Sequence, residues 1–142
     1  MNVKISINAI EHYFGLILGF WIAEHDVPAK FLEEYNENIF EMQKHIKLDN
    51  DEKYVQLALA YLIESENDLQ KEWEYIAYCS TYPFDHNEFK EIVEYTYSVL
   101  WPNTPPKEVL KGYEVEFIKT GDLLSAWLST RDELNPTFNK SM

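Results

Sequence analysis

One cysteine, Cys79, stands in the whole chain, which excludes an internal disulfide and any metal site built from several thiolates. Arginine is equally scarce: of twelve basic residues only Arg131 is one, and they face twenty-five acidic residues, for a formal charge of −13. A chain so negative and so poor in arginine is repelled by phosphate backbones, so no direct nucleic-acid binding is expected. Four glycines are too few for a turn-rich all-β fold. Phosphate loops, dinucleotide fingerprints and serine-hydrolase elbows are missing, and Gly15 and Gly19 form a small-x-x-x-small pair that invites close approach by a neighbouring helix. The uncharged run Tyr13–Ala23 is eleven residues long, well short of the ~20 that cross a bilayer. Ahead of it Lys4 is the one base, Glu11 and His12 intrude, and no small-x-small cleavage site follows at Glu24-His25-Asp26. These absences predict a cytoplasmic protein with no membrane partner.

What is present supports a packed core. Hydrophobic residues make up 46% of the 142, enough to argue against disorder despite the charge, and the length is that of a single domain spanning 1–142. Read helically, Tyr13–Ala23 is apolar all round and cannot be a surface helix. Asn8–Glu24 is therefore predicted as a buried central helix. A second helix is expected at about Pro28–Lys47, with Asp26 as N-cap and an apolar period through Phe31, Leu32, Tyr35, Ile39, Met42 and Ile46. A third follows the polar break Leu48–Asp51, and Ser65–Asp68 separates it from a fourth that buries Leu69, Trp73, Ile76, Ala77 and Ser80 and stops before Pro83. Asp85-His86-Asn87-Glu88 is a capping-box pattern that opens a fifth helix through Trp101. A short helix capped by Thr104 should end at Gly112, and a last one starting at Gly121-Asp122 should bury Leu123, Leu124, Trp127, Leu128 and Leu134, stop at Asn135-Pro136 and leave a frayed tail. Tyr113, Val115 and Phe117 alternate with acids as in a strand. With nothing evident to pair with, residues 113–119 are expected to be irregular or helical. The expectation is an all-α, compact single-domain bundle of six or seven helices around residues 8–24.

Candidate chemistry is thin. Glu41 and His45 share a helix face, but a di-iron bundle needs Glu-x-x-His from two helices, and a histidine at a helix C-terminus complements the dipole. Cys79 and His86 flank a proline turn, yet a buried thiol usually packs as a small hydrophobe. No catalytic residue, cofactor or metal ligand is expected, and the chain is read as a non-enzyme.

The placement of charge is more informative. Net charge is −2 over residues 1–27, −7 over 28–74, −3 over 75–103 and −1 over 104–142. Glu33, Glu37 and Glu41 form a ridge at four-residue steps, where like charges repel by ~0.2–0.5 kcal/mol per pair. Lys30 and Lys44 relieve it in part, and Asp49, Asp51 and Glu52 follow just past the helix end. Tyr75, Tyr78 and Tyr82 make a stripe, of which Tyr78 is the one expected to pack inward; Tyr95 shares a face with Glu88 and Glu91. Tyrosines among carboxylates are the usual make-up of a contact surface for a basic protein. The expected partner-binding residues are thus Glu33, Glu37, Glu41, Asp49, Asp51, Glu52, Tyr75, Tyr82, Glu88, Glu91 and Tyr95. In size, acidity and want of catalytic motifs the profile is similar to that of bacterial immunity proteins. It implies an acidic inhibitor that masks the active site of a cognate cationic toxin, a nuclease above all. The alternatives are a phage-type nucleic-acid mimic (antirestriction or anti-CRISPR) and a non-catalytic regulatory or scaffold module. The near-neutral C-terminal portion speaks against the mimic, which should spread its charge lengthwise.

Overall fold

The chain begins as a strand. In the computed structural model, which describes residues 1–119 and 121–135, Asn2–Ser6 (β1) buries Val3 and Ile5 and exposes Lys4, the alternation of an extended segment. Its last amide, Ser6 N–H, donates to the Tyr54 hydroxyl at 2.7 Å, and the helix starts at the next residue. That helix runs through Ile7–Phe14 (α1), a π-helical turn Gly15–Gly19, and Phe20–His25 (α2). Gly15 and Gly19 both face the Cys79 carbonyl, just past the end of another helix, at a distance that would leave a Cβ in ordinary contact. Asp26 closes α2 in the left-handed region at φ 65° rather than opening the next helix.

The second helix also starts later than its sequence suggests. The Trp21 indole donates to the Val27 carbonyl at 2.9 Å and Ala29 N–H to the Tyr35 hydroxyl at 2.9 Å. These bonds hold the connection out of helical geometry until a 3-10 turn at Leu32–Tyr35 and then α3, Asn36–Leu48. Asn50, at φ 58°, turns the chain into α4, Glu52–Glu64. The break expected at 65–68 is a 3-10 turn, Glu66–Asp68, followed by α5, Gln70–Ala77. The capping box forms as read: Glu88 N–H donates to Asp85 Oδ1 at 2.8 Å and Asp85 N–H to Glu88 Oε1 at 3.2 Å, opening α6, His86–Leu100. A single turn, α7 at Pro106–Val109, precedes Gly112, whose φ of 82° ends it.

Residues 113–119 correct the expectation. Glu114–Ile118 is a strand, β2, and pairs in parallel with β1 in the register Asn2↔Glu114 to Ser6↔Ile118. The alternation was genuine; its partner lay more than a hundred residues away, in an N-terminal segment that helical periodicity leaves unassigned. The last helix, α8 at Leu123–Leu134, is capped by Asp122, whose Oδ1 accepts from Ser125 N–H at 3.1 Å. Its buried side differs from the one expected, since Leu124 and Leu128 are exposed and Thr130 is the residue fully covered. Rotation follows from Trp127 and Arg131, which both turn inward to Asp51. The stop at Pro136 and the tail lie outside the described residues.

Counting the Ile7–His25 segments as one, the described residues form seven helices and a two-stranded sheet, an all-α bundle. The N-terminal helix buries Ile10, Tyr13, Phe14, Ile17 and Leu18. Beside it α4 is enclosed over every residue from Tyr54 to Ala60, where Ala58 and Ala60 let neighbours close in. Trp73 and Phe89 meet edge to face across α5 and α6, and Phe14 meets Phe89 from the N-terminal helix. Among the described residues no helix is long and apolar enough to cross a membrane.

Candidate functional site

The acidic ridge is on the surface but is not one helical row. Glu37 and Glu41 lie on α3, whereas Glu33 precedes it in the 3-10 turn; all three are exposed. Glu34 beside them is drawn back, its Oε2 accepting from Phe31 N–H at 2.8 Å. Lys44 meets Glu41 at 3.0 Å as the spacing suggests. Across from the turn, Glu88 and Glu91 of α6 share a shallow cavity with Lys30 and Leu32, and the Tyr95 hydroxyl donates to Asn36 Oδ1 at 2.5 Å. The tertiary structure therefore brings Glu33, Glu88, Glu91 and Tyr95 to one end of α3. Glu52 stands at the other end, exposed, with Asp49 half-buried and accepting from the Tyr13 hydroxyl at 3.1 Å.

Asp51 does not belong to this surface. It is 0% exposed, and four donors converge on its carboxylate. Arg131 Nε and Nη2 reach it at 2.6 and 2.9 Å, the Trp127 indole at 3.1 Å and the Tyr13 hydroxyl at 2.5 Å. Burial and then the bond to Asp51 push the Tyr13 hydroxyl's pKa upward, and the same carboxylate raises that of Arg131. A carboxylate so engaged holds α8 to the helices beneath it and is closed to a partner. Its position after an acidic ridge made it look like surface; a buried carboxylate needs a cation, and the chain's one arginine lies eighty residues further on.

The tyrosine stripe is also turned from its expected sense. Tyr78, expected inward, is 72% exposed. Tyr82 is half-buried against Phe84, and Tyr75, though exposed, donates to Asn8 Oδ1 at 2.7 Å. The cause is the end of α5 at Ala77, after which Tyr78 is no longer on a helical face.

Sequence reasoning missed a groove between the N-terminal helix and α3. It holds about 320 Å³ and is lined by Leu16, Phe20, Glu24, Asn38, Glu41 and His45. Phe20 is 59% exposed, so the helix read as apolar all round leaves one ridge in water. A signal was available: Leu16, Phe20 and Glu24 stand at four-residue steps, and a ridge that ends in a carboxylate faces solvent at that end. Exposed apolar side chains gather in the same stretch, with Val27, Phe31, Phe40 and Leu48 joining Phe20.

Two other ionisable groupings stand apart. Glu66 meets His86 Nε2 at 2.6 Å and accepts from Lys90 at 2.9 Å, and these contacts, the first above all, hold its carboxyl below the usual range. They fasten the 3-10 turn to the start of α6. Cys79 is partly buried, and burial, with a smaller contribution from the charge of Glu11, pushes its thiol up to about 12, the opposite of an activated nucleophile. Among the described residues no three His, Cys, Asp or Glu side chains are placed to hold a metal ion. No protein-family model, curated protein or solved structure matches the chain.

Proposed function

We propose that this protein is an acidic inhibitor that binds a cationic protein, in the manner of an immunity protein neutralising a cognate bacterial toxin in the cytoplasm. A nuclease is the partner its charge fits best. The observation that carries the reading is the coincidence, over residues 20–48, of the exposed carboxylates Glu24, Glu33, Glu37 and Glu41 with the exposed apolar side chains Phe20, Val27, Phe31, Phe40 and Leu48. Exposed apolar side chains concentrated in one stretch of chain suit a contact surface, and the carboxylates among them select a positive partner. A nuclease cleft is cationic because it must hold phosphate, so carboxylates can occupy it in competition with substrate.

The test is co-expression with the product of the adjacent reading frame, scoring rescue from toxicity together with co-purification of the pair. Replacing Glu33, Glu37 and Glu41 by lysine should weaken the complex several-fold, and association should slow as salt rises. Unchanged affinity in the triple variant would remove this face from the interface. Failure to rescue or co-purify would remove the inhibitor reading.

A further inference from the structure

The groove between the N-terminal helix and α3 differs from the rest of the acidic surface in what it offers a ligand. Its apolar part is Leu16 and the exposed ring of Phe20. Glu24, at the end of α2, stands on one side, and Asn38, Glu41 and His45 line the other from α3. The Asn38 amide nitrogen donates one N–H to the Ile17 carbonyl at 3.4 Å, which leaves its carbonyl oxygen as an acceptor for a ligand. Glu41 carries one contact with Lys44, between side chains that are both more than half exposed, a kind of pair that contributes little and exchanges readily. Two carboxylates, an amide and the His45 imidazole thus line one groove with an exposed aromatic ring.

A ligand that satisfies them must bring several N–H donors, positive charge and a flat face. Guanidinium has all three: five donors in a plane, a permanent charge, and weak enough hydration to stack on a ring. An ammonium brings charge and three donors but no flat face, and it holds its water more firmly. The chain has no arginine of its own to fill the groove, because Arg131 is locked to Asp51. We infer that this groove takes an arginine side chain presented by the partner protein, its guanidinium set among Glu24, Glu41 and Asn38 over the Phe20 ring. The inference rests on the reading of this face as a protein-binding surface and names the residue type it selects.

The experiment is an NMR titration of the full chain at pH 7.5 with three probes: Nα-acetyl-arginine amide, Nα-acetyl-lysine amide and Nα-acetyl-citrulline amide, the last nearly isosteric with arginine but uncharged. The arginine probe should move the amide signals of residues 16–24 and 38–45. It should bind about tenfold tighter than citrulline and about threefold tighter than lysine. Glu24→Gln with Glu41→Gln should weaken arginine at least about fivefold, and Phe20→Leu, which keeps the apolar floor without the ring, should erase its advantage over lysine. Equal binding of arginine and citrulline, or shifts centred elsewhere, overturns the inference, and lysine matching arginine overturns the guanidinium selection. If arginine binds here and the toxin is not neutralised, the inhibitor reading fails and the groove stands. If the toxin is held equally well by the Phe20, Glu24 and Glu41 variants, the groove fails and the inhibitor reading stands.

Discussion

Asp51→Asn is the substitution whose consequence the structure specifies most closely. The change is nearly isosteric, but it removes a charge and turns one acceptor into a donor that faces the donors of Arg131, Trp127 and Tyr13. Breaking a buried ion pair from one side costs roughly 3–5 kcal/mol. Arg131 keeps 21% of its side chain in water against 0% for Asp51, so solvent recovers part of its charge, and the low end, about 3 kcal/mol, is expected. Arg131→Met leaves the carboxylate buried without its cation and should cost about as much. Because one pair is lost in either case, the double variant should fall short of the sum by about 2 kcal/mol. Urea unfolding followed by circular dichroism reads this directly, provided the slope is unchanged. Since α8 buries little besides Thr130, hydrogen exchange in Asp51→Asn should quicken first over residues 123–134. A cost below about 1 kcal/mol, or additive single variants, would refute the assignment of Asp51 as the anchor of α8.

The glycine pair and the cysteine supply two further expectations. A Cβ built on Gly15 or Gly19 would lie 3.8 or 3.9 Å from the Cys79 carbonyl, an ordinary contact, and φ at both is right-handed at −60° and −62°. Gly15→Ala and Gly19→Ala should each stabilise by about 0.5–1 kcal/mol and raise Tm by a few degrees; a fall in Tm would show that the helices need a closer approach. The Cys79 thiol should react slowly with a thiol reagent at pH 8 in the native protein and fast once unfolded, and rapid native labelling would contradict its burial. Its ordinary value is 9.0 and its folded value about 12. The stability contributed by the neutral thiol is therefore complete below pH 9 and lost as pH rises from there toward 12, and Cys79→Ala should flatten that decline in an alkaline unfolding series.

How much of the molecule the sequence discloses depends on the range of the interaction concerned. The capping box at Asp85 and Glu88, the break at 65–68 and the stop at Gly112 are settled within three or four residues, and each is where the residue types put it. The gathering of carboxylates over residues 28–74 is likewise a property of the chain, as is the exposure of Glu33, Glu37 and Glu41. The groove was only half legible. Glu41 stood out by its neighbours in sequence, but Phe20 was hidden inside a run that periodicity assigns wholly to the core.

By itself, then, the sequence determined the helical class, the cap at Asp85, the break at 65–68, the stop at Gly112 and the segment that carries the negative charge, because propensity, capping and local repulsion act between residues close along the chain. Tertiary structure decided the rest. It paired Asn2–Ser6 with Glu114–Ile118, turned Asp51 inward to Arg131, left Tyr78 in solvent and opened Phe20 to water beside Glu24 and Glu41. In each case the deciding partner, or its absence, arises from segments remote in sequence, and whether a side chain is covered depends on what the fold brings to that face.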